Sequence, residues 1–494
     1  MPAREHLRTN SAADPWWRSQ TTRPSLVADD RTPAVMTIYD TVRQHLCEQR
    51  QYVIHHRSEG SLVRVVGLWG FAASIVNITV GGGIFRLPAA AAAELGAAAP
   101  IAYVVCALAM GLIVLCFAEA GSRVSLTGGL YAYVEVAFGP AVGFVSGVML
   151  WAGITAATAA VASFFADALC AMVPALALGS SRAIVLVAVL AGLAALNIAG
   201  VRGANHFNGV MTVAKLVPLL LLIVVGMRAV HRENLTWSAL PGVTDVSHAS
   251  IVLIFAFLGV ESALVPSGEV HDPARTIPRA IFVAMVAVTL LYLAIQVVTQ
   301  GILGPSLAGQ KTPLAEAAAV AMGPAGRTLM LVGMIISTFG YICGMTLAVP
   351  RMLFAFGRDG FLPAPLARVH SRWRTPYVAI VVQTAVVIAL AVSGSFEKLA
   401  IIANGSVLLA YTACCAGVIQ LRRRGIQETA TPFRIPFSSA VPVFAVAVIV
   451  WFLTSLTADA WRALLLVVGV ALVIYVSSLP SRRSARLSAM TGVH

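Results

Sequence analysis

Three consecutive glycines, Gly81-Gly82-Gly83, followed by Ile84-Phe85-Arg86-Leu87-Pro88, interrupt the first long apolar segment of the chain, which runs from Val65 to about Leu95. Each glycine costs about 1 kcal/mol relative to alanine inside a helix. An unpaired backbone amide in hydrocarbon costs several kcal/mol more. A broken helix at membrane depth is tolerated where the freed N–H and C=O groups are buried in protein or line a cavity. The glycine run is therefore a candidate site for a small polar ligand. The alternative is close helix packing through small residues, although packing motifs space their glycines.

The membrane setting follows from composition. Of 494 residues, 59% are hydrophobic and 11% charged, and the mean hydropathy is +0.85. Soluble domains carry about 25% charge. Windows of about 20 apolar residues predict twelve spans, at 65–95, 98–121, 131–173, 182–200, 205–227, 249–272, 279–302, 326–357, 376–393, 396–421, 437–457 and 460–479. The third is too long for a simple span, so it tilts or projects. Residues 1–64 and 480–494 read as polar tails. The first tail has no apolar run of signal-peptide length and reads as a solvated tail, with 35–57 as an alternative surface helix.

Basic residues set the orientation. With an even number of spans, both termini share one side, and 25 of the 34 Lys and Arg fall there, against seven in the opposite loops. The positive-inside rule places both termini in the cytoplasm. The net charge of +13 is this bias, with anionic lipid rather than nucleic acid as its partner. The remaining two basic residues, Arg86 and Lys215, lie inside predicted spans.

A second break is expected in the sixth segment, at Leu258-Gly259-Val260-Glu261. Paired interruptions in corresponding positions point to a transporter site between inverted repeats. The halves would be 65–227 and 249–421, five segments each and therefore oppositely oriented, with 437–479 outside the repeat. The half-helix beginning near Ile84 offers free N–H groups and a positive dipole end to a carboxylate. Carbonyls near Gly259 suit an ammonium group. Together they describe a site for the backbone of an amino acid.

At these residues the chain resembles the amino acid–polyamine–organocation transporters, over most of 66–421. Gly81-Gly82-Gly83-Ile84-Phe85 resembles the family's unwound stretch. Glu119-Ala120-Gly121-Ser122-Arg123 with Thr127-Gly128-Gly129-Leu130-Tyr131-Ala132-Tyr133 resembles its loop between the second and third helices. Gly259-Val260-Glu261-Ser262, Gly268-Glu269 and Asp272-Pro273-Ala274-Arg275 are similar to its sixth helix and following loop, and Arg358-Asp359-Gly360-Phe361-Leu362-Pro363 to its motif after the eighth. The resemblance implies an all-α membrane protein of the leucine-transporter type: twelve transmembrane helices, a 5+5 inverted repeat with helices 1 and 6 broken, and two peripheral helices. It implies secondary active transport of amino acids or related amines by alternating access in a bacterial inner membrane, as a monomer or homodimer and without a cofactor.

By comparison with the family's arginine/agmatine antiporters, the pocket positions are Ile78, Gly153, Ile154, Thr158, Phe255, Leu258 and Met345. Those antiporters carry Asn at the position of Ile78 and Trp at those of Phe255 and Met345. This pocket is less polar and less aromatic, which disfavours cation–π binding of a guanidinium and favours a neutral amino acid. A cationic or polyamine substrate, or an acidic one exchanged by the same fold, is the alternative.

Intramembrane charges are functional candidates. The resemblance places the Lys215 amine where sodium-coupled relatives hold sodium. Desolvation disfavours a charged amine, so Lys215 could also release a proton during the cycle; the alternative is a snorkelling lysine. The resemblance gives Glu261 a role in proton sensing; the alternative is a structural hydrogen bond to freed backbone. Glu119 and Arg123, spaced i,i+4, are a local pair and a candidate cytoplasmic gate. Arg86 is a third gate candidate, which could attract the acidic side chain of a substrate, line the outer vestibule, pair with Glu94 or reach the headgroups.

An intramembrane enzyme would need a nucleophile, paired-acid or metal site at membrane depth, and none is visible. All ten His fall in tails, loops or helix ends, and the seven Cys form no CxxC pair and read as small core residues. A channel is disfavoured by two discontinuous helices and the lack of a filter-like repeat.

Overall fold

The computed structural model describes residues 67–124, 130–177, 180–199, 204–237, 240–260, 273–426, 432–435 and 437–491. These are almost wholly helical, and no strand occurs among them. Seven helices are long and apolar enough to cross a membrane, among them the continuous stretches Leu87–Arg123, Pro140–Met172 and Phe396–Arg423. Shorter apolar helices cover Leu68–Thr79, Val243–Phe257, Tyr377–Ser393 and Ala440–Leu453.

The first predicted span is three pieces. Helix α1 (Leu68–Thr79) ends at a tight turn at Val80 (φ −75°, ψ 76°), a 3-10 turn covers Gly83–Phe85, and α2 (Leu87–Leu95) restarts with Pro88 in its first turn, where a missing N–H costs nothing. Helix α3 (Ala99–Arg123) follows. The over-long third span resolves into two helices, α4 (Leu130–Phe138) and α5 (Pro140–Met172). Gly139, at φ 93°, turns the chain between them, and Pro140 then opens α5. Helix α5 alone still has 33 residues, about 50 Å at 1.5 Å per residue, so it remains too long for a simple span.

Helices α6 (Ser181–Ile198) and α7 (Ala204–Gly226) follow. The sixth span opens as α8 (Val243–Leu253), tightens into a 3-10 turn at Ile254–Phe257, and leaves helical geometry at Leu258 (φ −68°, ψ 153°) and Gly259 (φ 111°). Then come α9 (Pro273–Leu303), α10 (Pro313–Ala348), which kinks at Gly323 (φ 69°) before Pro324, α11 (Pro350–Arg358), α12 (Tyr377–Ser393) and α13 (Phe396–Arg423). Helices α14 (Ala440–Leu453) and α15 (Ala458–Thr491) close the chain, α15 running on through what the sequence reads as a polar tail.

Helix α13 lies along α5 and also packs on α3, α4, α8 and α14. It comes close to α5 at Gly153, where an added Cβ would lie 2.5 Å from Val407 Cγ2 and 3.0 Å from the Ala403 carbonyl oxygen.

Candidate functional site

The two breaks meet. A Cβ on Gly259 would lie 2.8 Å from Ile78 Cγ2, and one on Gly83 3.0 Å from the ring of Phe255. A Cβ on Gly82 would collide with Thr338 of α10 at 2.8 Å and meet Val161 of α5 at 3.0 Å, whereas Gly81 faces Tyr341 at 3.4 Å. The glycines therefore do two things at once. They let α5, α10 and the sixth segment close on the first break, and they leave its backbone unwound. The amide of Gly81 turns back to Thr79 O at 2.8 Å, and the next backbone bonds run from Phe85 to Gly82 O and from Arg86 to Gly83 O. Among the described residues, the N–H groups of Gly82, Gly83 and Ile84 between them have no backbone acceptor.

Behind the break, the Lys215 ammonium donates to the Asn77 carbonyl, in the last turn of α1. The lysine is 6% exposed. This is a bond into the broken helix rather than a snorkelling position. The Tyr292 hydroxyl of α9 sits between Thr79 O (3.0 Å) and Ala256 O (2.9 Å), one carbonyl from each broken segment. Nothing in the sequence marked Tyr292: a tyrosine in Leu-rich Thr289-Leu290-Leu291-Tyr292-Leu293 reads as core.

The other pocket positions divide. Ile78, Ile154, Leu258 and Met345 are partly exposed, and Met345 lies one turn beyond Tyr341. Thr158 is buried and its hydroxyl donates to Ile154 O at 2.8 Å, within its own helix. Gly153 turns its Cα hydrogens onto α13. Glu261 lies outside the described residues, as do the 1–64 tail and Thr127-Gly128-Gly129.

Above the break, Phe396 packs edge-on to Phe255, with ring centroids 5.5 Å apart, and against Phe164 at 5.7 Å. Next to it, Glu397 accepts from Arg86 Nε (3.0 Å) and Nη2 (2.6 Å), while Arg86 Nη1 donates to Gln310 O at 3.2 Å. Arg86 thus pairs with an acid 311 positions away rather than with Glu94 or headgroups.

At the other end of α13 the Glu119–Arg123 pair forms, with Arg123 Nε 2.9 Å from Glu119 Oε1, but it is one part of a larger cluster. Arg422 donates Nε to Oε1 (2.7 Å) and Nη2 to Oε2 (2.5 Å), and the Ile435 N–H donates to Oε2 at 2.9 Å. Spacing revealed only the local contact, because Arg422 and Ile435 are distant in sequence.

With this geometry in view, similarity to known proteins decides the family. The sequence pattern of the amino acid permeases matches residues 66–478. The chain belongs to that family. It is 28% identical to the methylthioribose transporter of Bacillus subtilis over 84% of this chain and 93% of that one. It is also 28% identical to the serine/threonine exchanger SteT of the same organism, over 79% and 91%. The branched-chain amino acid permease BcaP of that bacterium is 26% identical over 87% and 96%. The chain is a multi-pass membrane protein of the amino acid transport class.

Proposed function

We propose that this protein is a sodium-independent secondary active transporter of neutral amino acids. It works by alternating access across a bacterial inner membrane, with twelve spans, a 5+5 inverted repeat and both termini cytoplasmic. The observation that carries the reading is the first break, where the amides of Gly82, Gly83 and Ile84 have no backbone acceptor among the described residues while the Lys215 amine is bonded to Asn77 O. Free amides at a helix start suit a carboxylate. An ammonium group bound to carbonyl oxygen stands where a monovalent cation would otherwise hold the unwound backbone, so the site is set without sodium. The partly exposed Ile78, Ile154, Leu258 and Met345 offer an aliphatic side chain an apolar wall. The relatives named for serine/threonine and branched-chain amino acids support a neutral substrate.

Proton coupling falls to Lys215 and Glu261, as symport or exchange, and Arg86 with Glu397 forms the outer gate. Replacing Lys215 with Ala is expected to lower amino acid uptake in proteoliposomes by tenfold or more, on the order of 1.4 kcal/mol or above, without loss of folded protein. Uptake equal to wild type removes the lysine from the mechanism. Glu261→Gln is expected to flatten the dependence of uptake on pH; an unchanged profile takes Glu261 out of the coupling.

A further inference from the structure

One face of α9 carries buried polar groups that the transport reading does not use. Gln296 and Thr299 are fully buried and Gln300 is 2% exposed. Both polar atoms of the Gln296 amide, the Thr299 hydroxyl and Gln300 Oε1 have no hydrogen-bond partner among the described residues. Gln300 Nε2 donates to Gly304 O at 3.3 Å, near the end of the helix.

These residues stand above Tyr292. At about 1.5 Å rise and 100° per residue, Gln296 and Thr299 lie about 6 and 10 Å further along the same face, and Gln300 about 12 Å along on its edge. At the foot of the column, the Tyr103 ring of α3 meets Tyr292 edge-on at 6.5 Å. The Tyr103 hydroxyl is fully buried and also without a partner, as is Thr79 Oγ1, on the residue whose carbonyl Tyr292 holds. The face is turned to protein, since α1, α2 and α3 all pack on α9, whereas Phe282, Val286 and Leu290 point outward.

Thr299 is informative by contrast. Thr155, Thr158, Thr289, Thr338, Thr346 and Thr412 each donate to the carbonyl four residues back. That bond is the usual refuge of a helical threonine in an apolar setting. Thr299 does not make it.

Each buried polar group left unsatisfied costs about 1–3 kcal/mol, and native structures hold few of them. A row of five residues with orphan polar atoms on adjoining faces needs a ligand that both donates and accepts. None of the five is charged, so the row does not select an ion. We infer that it binds a file of internal water molecules, running from the outer end of α9 down to the Tyr292 bridge between the two broken segments. Each water would take two to four partners from this set. The waters lie behind the broken helices and apart from the amino acid site. They give the Thr79 and Ala256 carbonyls an alternative partner when Tyr292 lets one go.

Hydroxyl radicals generated from water by synchrotron X-rays test this on the full-length protein in nanodiscs, because bound water labels the side chains it touches. Tyr103 and Tyr292 should be labelled several-fold faster than Tyr411, which is equally buried. Labelling no faster than that of Tyr411 overturns the inference. Gln296→Leu and Gln296→Met supply the second readout. If the amide is hydrated, its loss strands its waters and lowers Tm by several degrees. If the amide is dry, removing it relieves an unsatisfied group and raises Tm, which also overturns the inference.

Discussion

The two ends of α13 are pinned by ion pairs of different kinds. At its first turn, Arg86 and Glu397 share a single carboxylate oxygen, with side chains 20% and 38% exposed. At its last turn, the fully buried Glu119 uses both oxygens, on two arginines and a backbone amide. A partly exposed pair is worth about 1 kcal/mol or less. Breaking a buried one leaves a stranded charge and costs about 3–5 kcal/mol. The contact at the first turn is therefore the one whose loss costs less, and the buried cluster at the last turn the one whose loss costs more. The Glu119–Arg123 pair that their spacing suggests is thus one part of a cluster that also holds Arg422 and the Ile435 amide.

The largest effect expected from this contrast follows Glu119→Gln, which leaves Arg123 and Arg422 facing each other without a counter-charge. Thermal unfolding should show a loss of about 3 kcal/mol or more; a Tm within a degree of wild type would make the cluster ornamental. Next comes Gly153→Val, which puts a branched Cβ against Val407 and the Ala403 carbonyl and should cost about 1–3 kcal/mol. An unchanged Tm would mean that α13 moves freely against α5. The smallest stability effect belongs to Arg86→Gln, at about 1 kcal/mol or less. That variant should instead make a cysteine placed at Gly83 react faster with an external thiol reagent, and an unchanged rate would deny the pair a gating role.

How much of this was legible in the sequence depends on the range of each interaction. The first break was plain, because three adjacent glycines contradict helix chemistry locally, and Gly259 announced the second for the same reason. The Gly139-Pro140 corner was equally local, yet continuous apolarity across it hid the division of α4 from α5. Arg86 was visible as an anomalous charge, but its partner Glu397 opens a helix 311 residues later, and no spacing rule reaches that far. Gly153 has the same lesson: the resemblance makes it a pocket position, and no spacing rule announces its close approach to Val407 and Ala403 of α13.

Ligand-dependent thermal stability, measured without sodium, addresses the central claim most directly. A ligand that binds only the folded state raises Tm by mass action. The account predicts that neutral L-amino acids raise Tm in sodium-free buffer, and that the Lys215→Ala variant loses the response. A shift that appears only when sodium is added, or only with acidic or dibasic compounds, would contradict it.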